Sequence, residues 1–135
     1  MIQVKTKNFR GGDDLVTTQY NWVGQPLRIV HKHQMPAVSG TTGQSTVTLT
    51  DIIYDDLGRA IQTQKKIQNT LVESNELPGT WTKINTNIYD ALGQLKRKTM
   101  GNKRDATGAY TSSILSSQEY VYNVRGWLLS INKDY

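Results

Sequence analysis

The clearest alternation of polar and apolar positions runs through Ser45-Thr46-Val47-Thr48-Leu49-Thr50 and on to Tyr54. A period of two, rich in threonine and β-branched residues, is what a strand with one solvated face prefers. No stretch sustains a helical period, so helix is expected to be minor. The segment Arg59 to Gln68 pairs back onto Ser45–Tyr54. Three further hairpins follow from the same reading: Val16 to Gln34, with Leu27–His31 as its second arm; Trp81–Tyr89 with Gln94–Met100; and Ser113–Tyr122 with Trp127–Asn132. Between them, Met35 to Gln44 reads as a loop carrying Pro36, Gly40 and Gly43. Asn69 to Gly79 is a second connection, ending in Pro78-Gly79, with Leu71-Val72 either packed or extending the strand before it. Gly101 to Gly108 is expected to be the most exposed and mobile loop, and residues 1–16 a leader or partial repeat. The whole is an all-β chain, a single domain over 1–135, built as an antiparallel meander of about four β-hairpin repeats.

The repeats announce themselves in four short blocks. They are Tyr20-Asn21-Trp22-Val23-Gly24, Tyr54-Asp55-Asp56-Leu57-Gly58, Tyr89-Asp90-Ala91-Leu92-Gly93 and Tyr122-Asn123-Val124-Arg125-Gly126. Their tyrosines are 34, 35 and 33 residues apart, and a fixed period of this size marks one supersecondary unit copied along a chain. Asp or Asn (Asx) three residues before Gly is the signature of a type I turn, here at 21–24, 55–58, 90–93 and 123–126. The Asx side chain can accept backbone N–H groups inside the turn, and the glycine can take positive φ to close a three-residue hairpin through a bulge. The residue six after each tyrosine then faces it. Those residues are Pro26, Ala60, Leu95 and Leu128, all apolar, as a tyrosine–aliphatic cross-strand pair requires. On the opposite face the same register pairs Gln19 with Leu27, Ile53 with Ile61, Ile88 with Lys96 and Val121 with Leu129.

These blocks carry a family likeness. Tyr-Asp-x-x-Gly-Arg, complete from Tyr54 to Arg59, resembles the YD repeat of RHS (rearrangement hotspot) proteins and teneurins. The stretch Tyr122-Asn123-Val124-Arg125-Gly126-Trp127-Leu128 resembles a variant common in large RHS-type proteins of Bacteroidetes. The likeness runs from about Thr18 to Tyr135. Arg follows the glycine only at Arg59, and Gln25, Gln94 and Trp127 stand there in the other copies. The resemblance implies a strip of hairpins winding into a hollow shell, in a large protein exported to the cell surface or secreted. Such a shell typically encloses a variable C-terminal toxin, as in polymorphic toxins. The chain reads as a stretch of such an array, its partners being neighbouring repeats. Its two sheet edges also invite self-association. If the parent is exported, the signal is expected outside this chain, because Met1-Ile2-Gln3-Val4-Lys5 lacks an apolar run.

Composition narrows the chemistry. With 36% hydrophobic residues and a single Phe, a thin core is expected, its bulk supplied by three Trp, seven Tyr and the aliphatics. The absence of cysteine excludes a disulfide framework and thiolate metal sites but leaves export open. No run approaches membrane-spanning length. The net charge of +5 is spread along the chain among acidic groups, unlike the clustered stripe of a nucleic-acid binder. Lys65-Lys66, Lys96-Arg97-Lys98 and Lys103-Arg104 could bind an acidic polymer, but read first as charges that keep strand edges soluble. His31 and His33 lie two apart on a strand and could share a face, but no cysteine or nearby carboxylate completes a metal set. Asp13-Asp14 and Asp55-Asp56 lack the spacing of a calcium loop. Glu73 and Glu76 form no acid–base pair in view of an apolar pocket. No nucleophile elbow or phosphate loop is present, so no cofactor and no enzyme activity are expected. Trp22, Trp81 and Trp127 are the candidates for ligand contact, since flat aromatics can stack on sugar rings. The alternative role for these indoles is covering the core or stapling adjacent repeats.

Overall fold

The computed structural model describes residues 1–72 and 77–132. Among them there is no helix. Nine strands, β1 (Ile2–Lys7), β2 (Asp13–Tyr20), β3 (Pro26–Met35), β4 (Gln44–Tyr54), β5 (Ala60–Asn69), β6 (Thr82–Tyr89), β7 (Leu95–Arg104), β8 (Tyr110–Tyr122) and β9 (Leu128–Ile131), follow one another in an antiparallel meander in chain order. The residues fall into two compact units, Met1–Ile52 with Gln64–Trp81, and Ile53–Thr63 with Thr82–Tyr135.

In the first unit β1 pairs with β2 from Ile2↔Thr18 to Lys7↔Asp13, and β3 pairs with β4 from Arg28↔Asp51 to Met35↔Gln44. Residues 1–16 hold β1, the turn after it and the start of β2. The turn joining β1 to β2, Asn8-Phe9-Arg10-Gly11, has the same hydrogen bonds as the tyrosine-led turns: Asn8 Oδ1 accepts the amides of Arg10 and Gly12 at 3.1 and 3.0 Å. Gly12 lies so close to the carbonyl oxygen of Gln34 that a Cβ there would stand 2.0 Å from it. The strand can pass that point only without a side chain.

In the second unit β6 pairs with β7, β7 with β8 and β8 with β9. The expected mobile loop over Gly101–Gly108 is instead the end of β7 followed by a tight turn. Gly101, at φ 55°, lets the strand bend next to an irregularity between Asn102 and Arg104. Asp105 then closes a sixth Asx turn, its Oδ1 accepting the amides of Thr107 (2.9 Å) and Ala109 (3.0 Å). Leu71 and Val72, placed between packing and strand extension by the sequence, lie in a turn after β5 and are exposed.

The expected thin core is not there: no described residue with a side chain is buried, hydrophobic or polar. A sheet ordinarily hides one face against a second layer. Here apolar and polar side chains share both faces. Leu15, Val30 and Leu49 stand with Lys32 on one face, and Val16 and Ile29 stand with His31 and Thr48 on the other, as the pairings Thr17↔Val30, Val30↔Leu49, Leu15↔Lys32, Val16↔His31, Thr18↔Ile29 and His31↔Thr48 require. Stability rests on ladder hydrogen bonds and cross-strand pairs. Leu49→Ala should therefore cost about 1 kcal/mol, below the ~2–5 kcal/mol of a leucine truncated inside a close-packed core. Urea denaturation of both proteins measures this, and a loss in the core range would show that Leu49 is covered in solution.

Candidate functional site: the turn ladder

Each of the four tyrosine-led turns closes in the same way. The backbone amide of the Asx residue donates to the carbonyl four residues on: Asn21 to Gln25, Asp55 to Arg59, Asp90 to Gln94 and Asn123 to Trp127, each at 2.9 Å. The glycine amide returns to the Asx carbonyl at 2.9–3.1 Å. Within each turn one Asx side-chain oxygen takes two further amides. Asp55 Oδ1 accepts from Leu57 (3.0 Å) and Arg59 (2.8 Å), and Asp90 Oδ1 from Leu92 (2.9 Å) and Gln94 (2.8 Å). Asn21 and Asn123 bond the equivalent amides of Val23 and Gln25, and of Arg125 and Trp127. Gly24, Gly58, Gly93 and Gly126 have φ between 76° and 92°, a region that side-chain-bearing residues adopt only with strain.

Tyr20 faces Pro26, Tyr89 faces Leu95 and Tyr122 faces Leu128. One pair further from the turn the register departs from the sequence reading. Gln19 faces Arg28 and not Leu27, Ile88 faces Arg97 and not Lys96, and Val121 faces Ser130 and not Leu129. A bulge beside each tyrosine inserts one residue into the second strand, so Leu27, Lys96 and Leu129 have no direct opposite.

In the second unit the tyrosines link one repeat to the next. The Tyr89 hydroxyl donates to the carbonyl of Ala60 (3.0 Å), and the Tyr122 hydroxyl to that of Leu95 (3.1 Å). In each case the acceptor is the residue six after the preceding repeat's tyrosine. Asn87 Nδ2 adds a second bond to Ala60 at 2.9 Å. The residue after the glycine reaches forward as well. Arg59 binds its own turn through Nε to Asp55 Oδ2 at 2.7 Å, and its guanidinium lies over the Tyr89 ring at 4.7 Å. The same guanidinium is 3.4 Å from where a Cβ on Gly93 would stand, and Gln94 Nε2 is 2.9 Å from the equivalent point at Gly126. A glycine at these positions thus admits both the turn and the neighbour's side chain. Partial burial pushes the Tyr54 phenol above its ordinary value.

The tryptophans divide. Trp81 lies against the cations Arg28 (5.7 Å) and Lys66 (4.9 Å) of its own unit, while Arg28 also pairs with Asp51. It is a stapling residue. Trp22, at the tip of its turn, is 96% exposed, and Trp127 is 66% exposed. Of the sequence-predicted ligand contacts, Trp22 is open, Trp81 is engaged by two cations, and Trp127, though exposed, has the Arg125 guanidinium over its ring at 5.8 Å.

The remaining candidate chemistry stays dispersed. His31 and His33 do share a face of β3, and Asp14 on β2 meets His33 Nδ1, a carboxylate that adjacency in sequence concealed. Among the described residues no three His, Cys, Asp or Glu side chains gather as a metal set. Asp13 pairs with Lys5 and Lys7. An open cleft in the first unit, lined by Gly12, Asp13, Gln34, Met35, Gln44 and Ser45 among others, contains that one carboxylate and no nucleophile–base pair. Glu73 and Glu76 lie outside the described residues. No described helix is long and apolar enough to cross a membrane. No family model matches the chain, and no curated protein is significantly similar to it.

Two expectations follow from the ladder. The amide of Arg59 first, and its guanidinium after that, hold the Asp55 carboxyl below its ordinary value of 3.8. A depressed folded-state pKa contributes stability that is complete above the unfolded value and lost as pH falls through the folded one. Asp55→Asn keeps the side-chain cap, as Asn21 and Asn123 do, and removes this acid dependence. Melting temperatures should thus converge for wild type and variant as the pH falls below 3.8; a gap that stays constant through that fall would refute the assignment. Separately, Tyr122→Phe should cost about 1 kcal/mol through the lost bond to Leu95. Tyr20→Phe should cost less, because the Tyr20 hydroxyl has no bond among the described residues. Equal losses in thermal melts would remove the tyrosine from the coupling between repeats.

Proposed function

We propose that this chain is a non-catalytic structural module, a stretch of a YD-repeat array of the RHS type. Its role is to build part of a β-shell or surface scaffold, which in the parent protein can enclose a C-terminal toxin. The observation that carries the reading is the coupling between consecutive hairpins: Tyr89 to Ala60, Tyr122 to Leu95, and Arg59 and Gln94 against the next turn's glycine. A unit that bonds its neighbour through the repeated residues themselves is a building block for stacking. The lack of a buried side chain among the described residues supports the same reading, since an element of this kind depends on what lies beside it. Its partners are neighbouring repeats, with self-association through strand edges available where those are missing. A place at the cell surface or outside the cell comes with the family resemblance.

Trp22 favours one second reading. An indole 96% exposed at a turn tip is a surface that stacks on a sugar ring, and Trp127 offers another, so the module would bind glycans or a cell-surface partner.

The native reading frame tests the first proposal. Further Tyr-Asx-x-x-Gly blocks continuing at the 33–35-residue spacing, with a variable tail beyond them, are expected; a gene holding these four blocks alone would overturn it. For the second, titration with polysaccharides should shift tryptophan fluorescence in the wild type and lose that shift in Trp22→Ala. A silent titration removes the glycan reading.

A further inference from the structure

The two outermost strands of the meander are chemically unlike. β1 carries Lys5 and Lys7, both paired to Asp13, and lysine on an edge strand discourages pairing with another chain. β9 and the residue before it, Trp127-Leu128-Leu129-Ser130-Ile131, carry no charge at all. Trp127, Leu128, Leu129 and Ile131 are each at least half exposed. Among the described residues no strand lies beyond β9. A flat, apolar, uncharged edge is what soluble proteins avoid unless it is paired.

The repeat geometry says what would pair there. Leu128 stands six residues after Tyr122, the position at which Ala60 and Leu95 each receive the hydroxyl of the next repeat's tyrosine. Trp127 follows Gly126, the position from which Arg59 and Gln94 reach over the next turn's glycine. Asn132 fixes the far end of β9: its amide donates to the Glu119 carbonyl at 2.8 Å, and its Oδ1 accepts the Glu119 amide at 2.7 Å. The edge is therefore held in place, with its acceptor in register and Trp127, under the Arg125 guanidinium at 5.8 Å, at the forward position.

We propose that the outer edge of the β8–β9 hairpin is a formed docking site for one further hairpin of the Tyr-Asx-x-x-Gly type. The incoming tyrosine hydroxyl donates to the Leu128 carbonyl, the incoming strand pairs with Leu128–Ile131, and the Trp127 indole covers the incoming glycine. The occupant is another repeat of this class, recognised by its tyrosine hydroxyl, its free strand edge and its bare glycine. This rests on the repeat-array reading and deepens it by naming which edge accepts and through which atoms.

The test uses the full chain and a backbone-cyclised peptide carrying residues 82–100, closed so that its hairpin exists before it binds. Hydrogen exchange should show new protection at the amides of Leu128–Ile131 and none at Ile2–Lys7. A second cyclic peptide bearing Tyr89→Phe should bind about fivefold more weakly, the usual worth of one hydrogen bond. Equal affinity of the two peptides, protection at β1, or no protection at millimolar peptide overturns the docking site. The array reading is judged independently by the reading frame, so the two can fail separately.

Discussion

A single side-chain oxygen accepting two backbone amides closes six of the described hairpin turns, at Asn8, Asn21, Asp55, Asp90, Asp105 and Asn123, and the rest of the structure depends on that contact being repeated. In a protein with a core, a turn is free to be mediocre, because burial on either side holds the strands together. Here no described side chain is withdrawn from water. The strands stay in register because each turn fixes its own geometry with four hydrogen bonds, two through backbone and two through the Asx oxygen. Asp and Asn do this equally well, which is why both occur. The difference is electrical: Asp55 adds an ion pair to Arg59, and the Thr107 hydroxyl and Ala109 amide hold the Asp105 carboxyl low, whereas Asn21 and Asn123 close neutral turns.

The second level of order is between repeats. Tyr89 and Tyr122 each stand opposite an aliphatic residue across their own hairpin, and their hydroxyls reach the hairpin before. One residue type thus serves burial, as far as there is any, and connection. Gly93 and Gly126 are doubly constrained in the same way, by positive φ and by the side chain arriving from the preceding turn.

Much of this was legible in the sequence. The antiparallel meander, the four tyrosine-led turns and the pairing of Tyr20, Tyr89 and Tyr122 with the residue six further on can be read from Asx-x-x-Gly and its period. What escaped had physical reasons. Searching for tyrosine concealed the turns at Asn8 and Asp105, which lack it; Asx three residues before glycine, without the tyrosine, would have found both. Gly101 looked like a loop, yet a positive φ inside a strand is how a bulge bends it. The bulge beside each tyrosine shifted the next pair by one, a displacement to which composition is blind. A core was expected because a chain of this length usually buries one, and periodicity cannot say whether a half-apolar face meets a second layer or water. The coupling of Tyr89 and Tyr122 to earlier carbonyls was invisible because it depends on geometry between repeats.

The tyrosine contacts have a direction. Tyr89 bonds to Ala60, and Tyr122 to Leu95; in both, the later residue finds its acceptor in a hairpin synthesised before it. A chain leaving the ribosome from its N-terminus would never have to wait for downstream sequence to complete these joints. Each new hairpin meets a finished template, so the sheet can be laid down course by course at the pace of translation. Such an order of assembly spares a coreless β-sheet the long exposure of unpaired strands that makes slow-folding sheets aggregate.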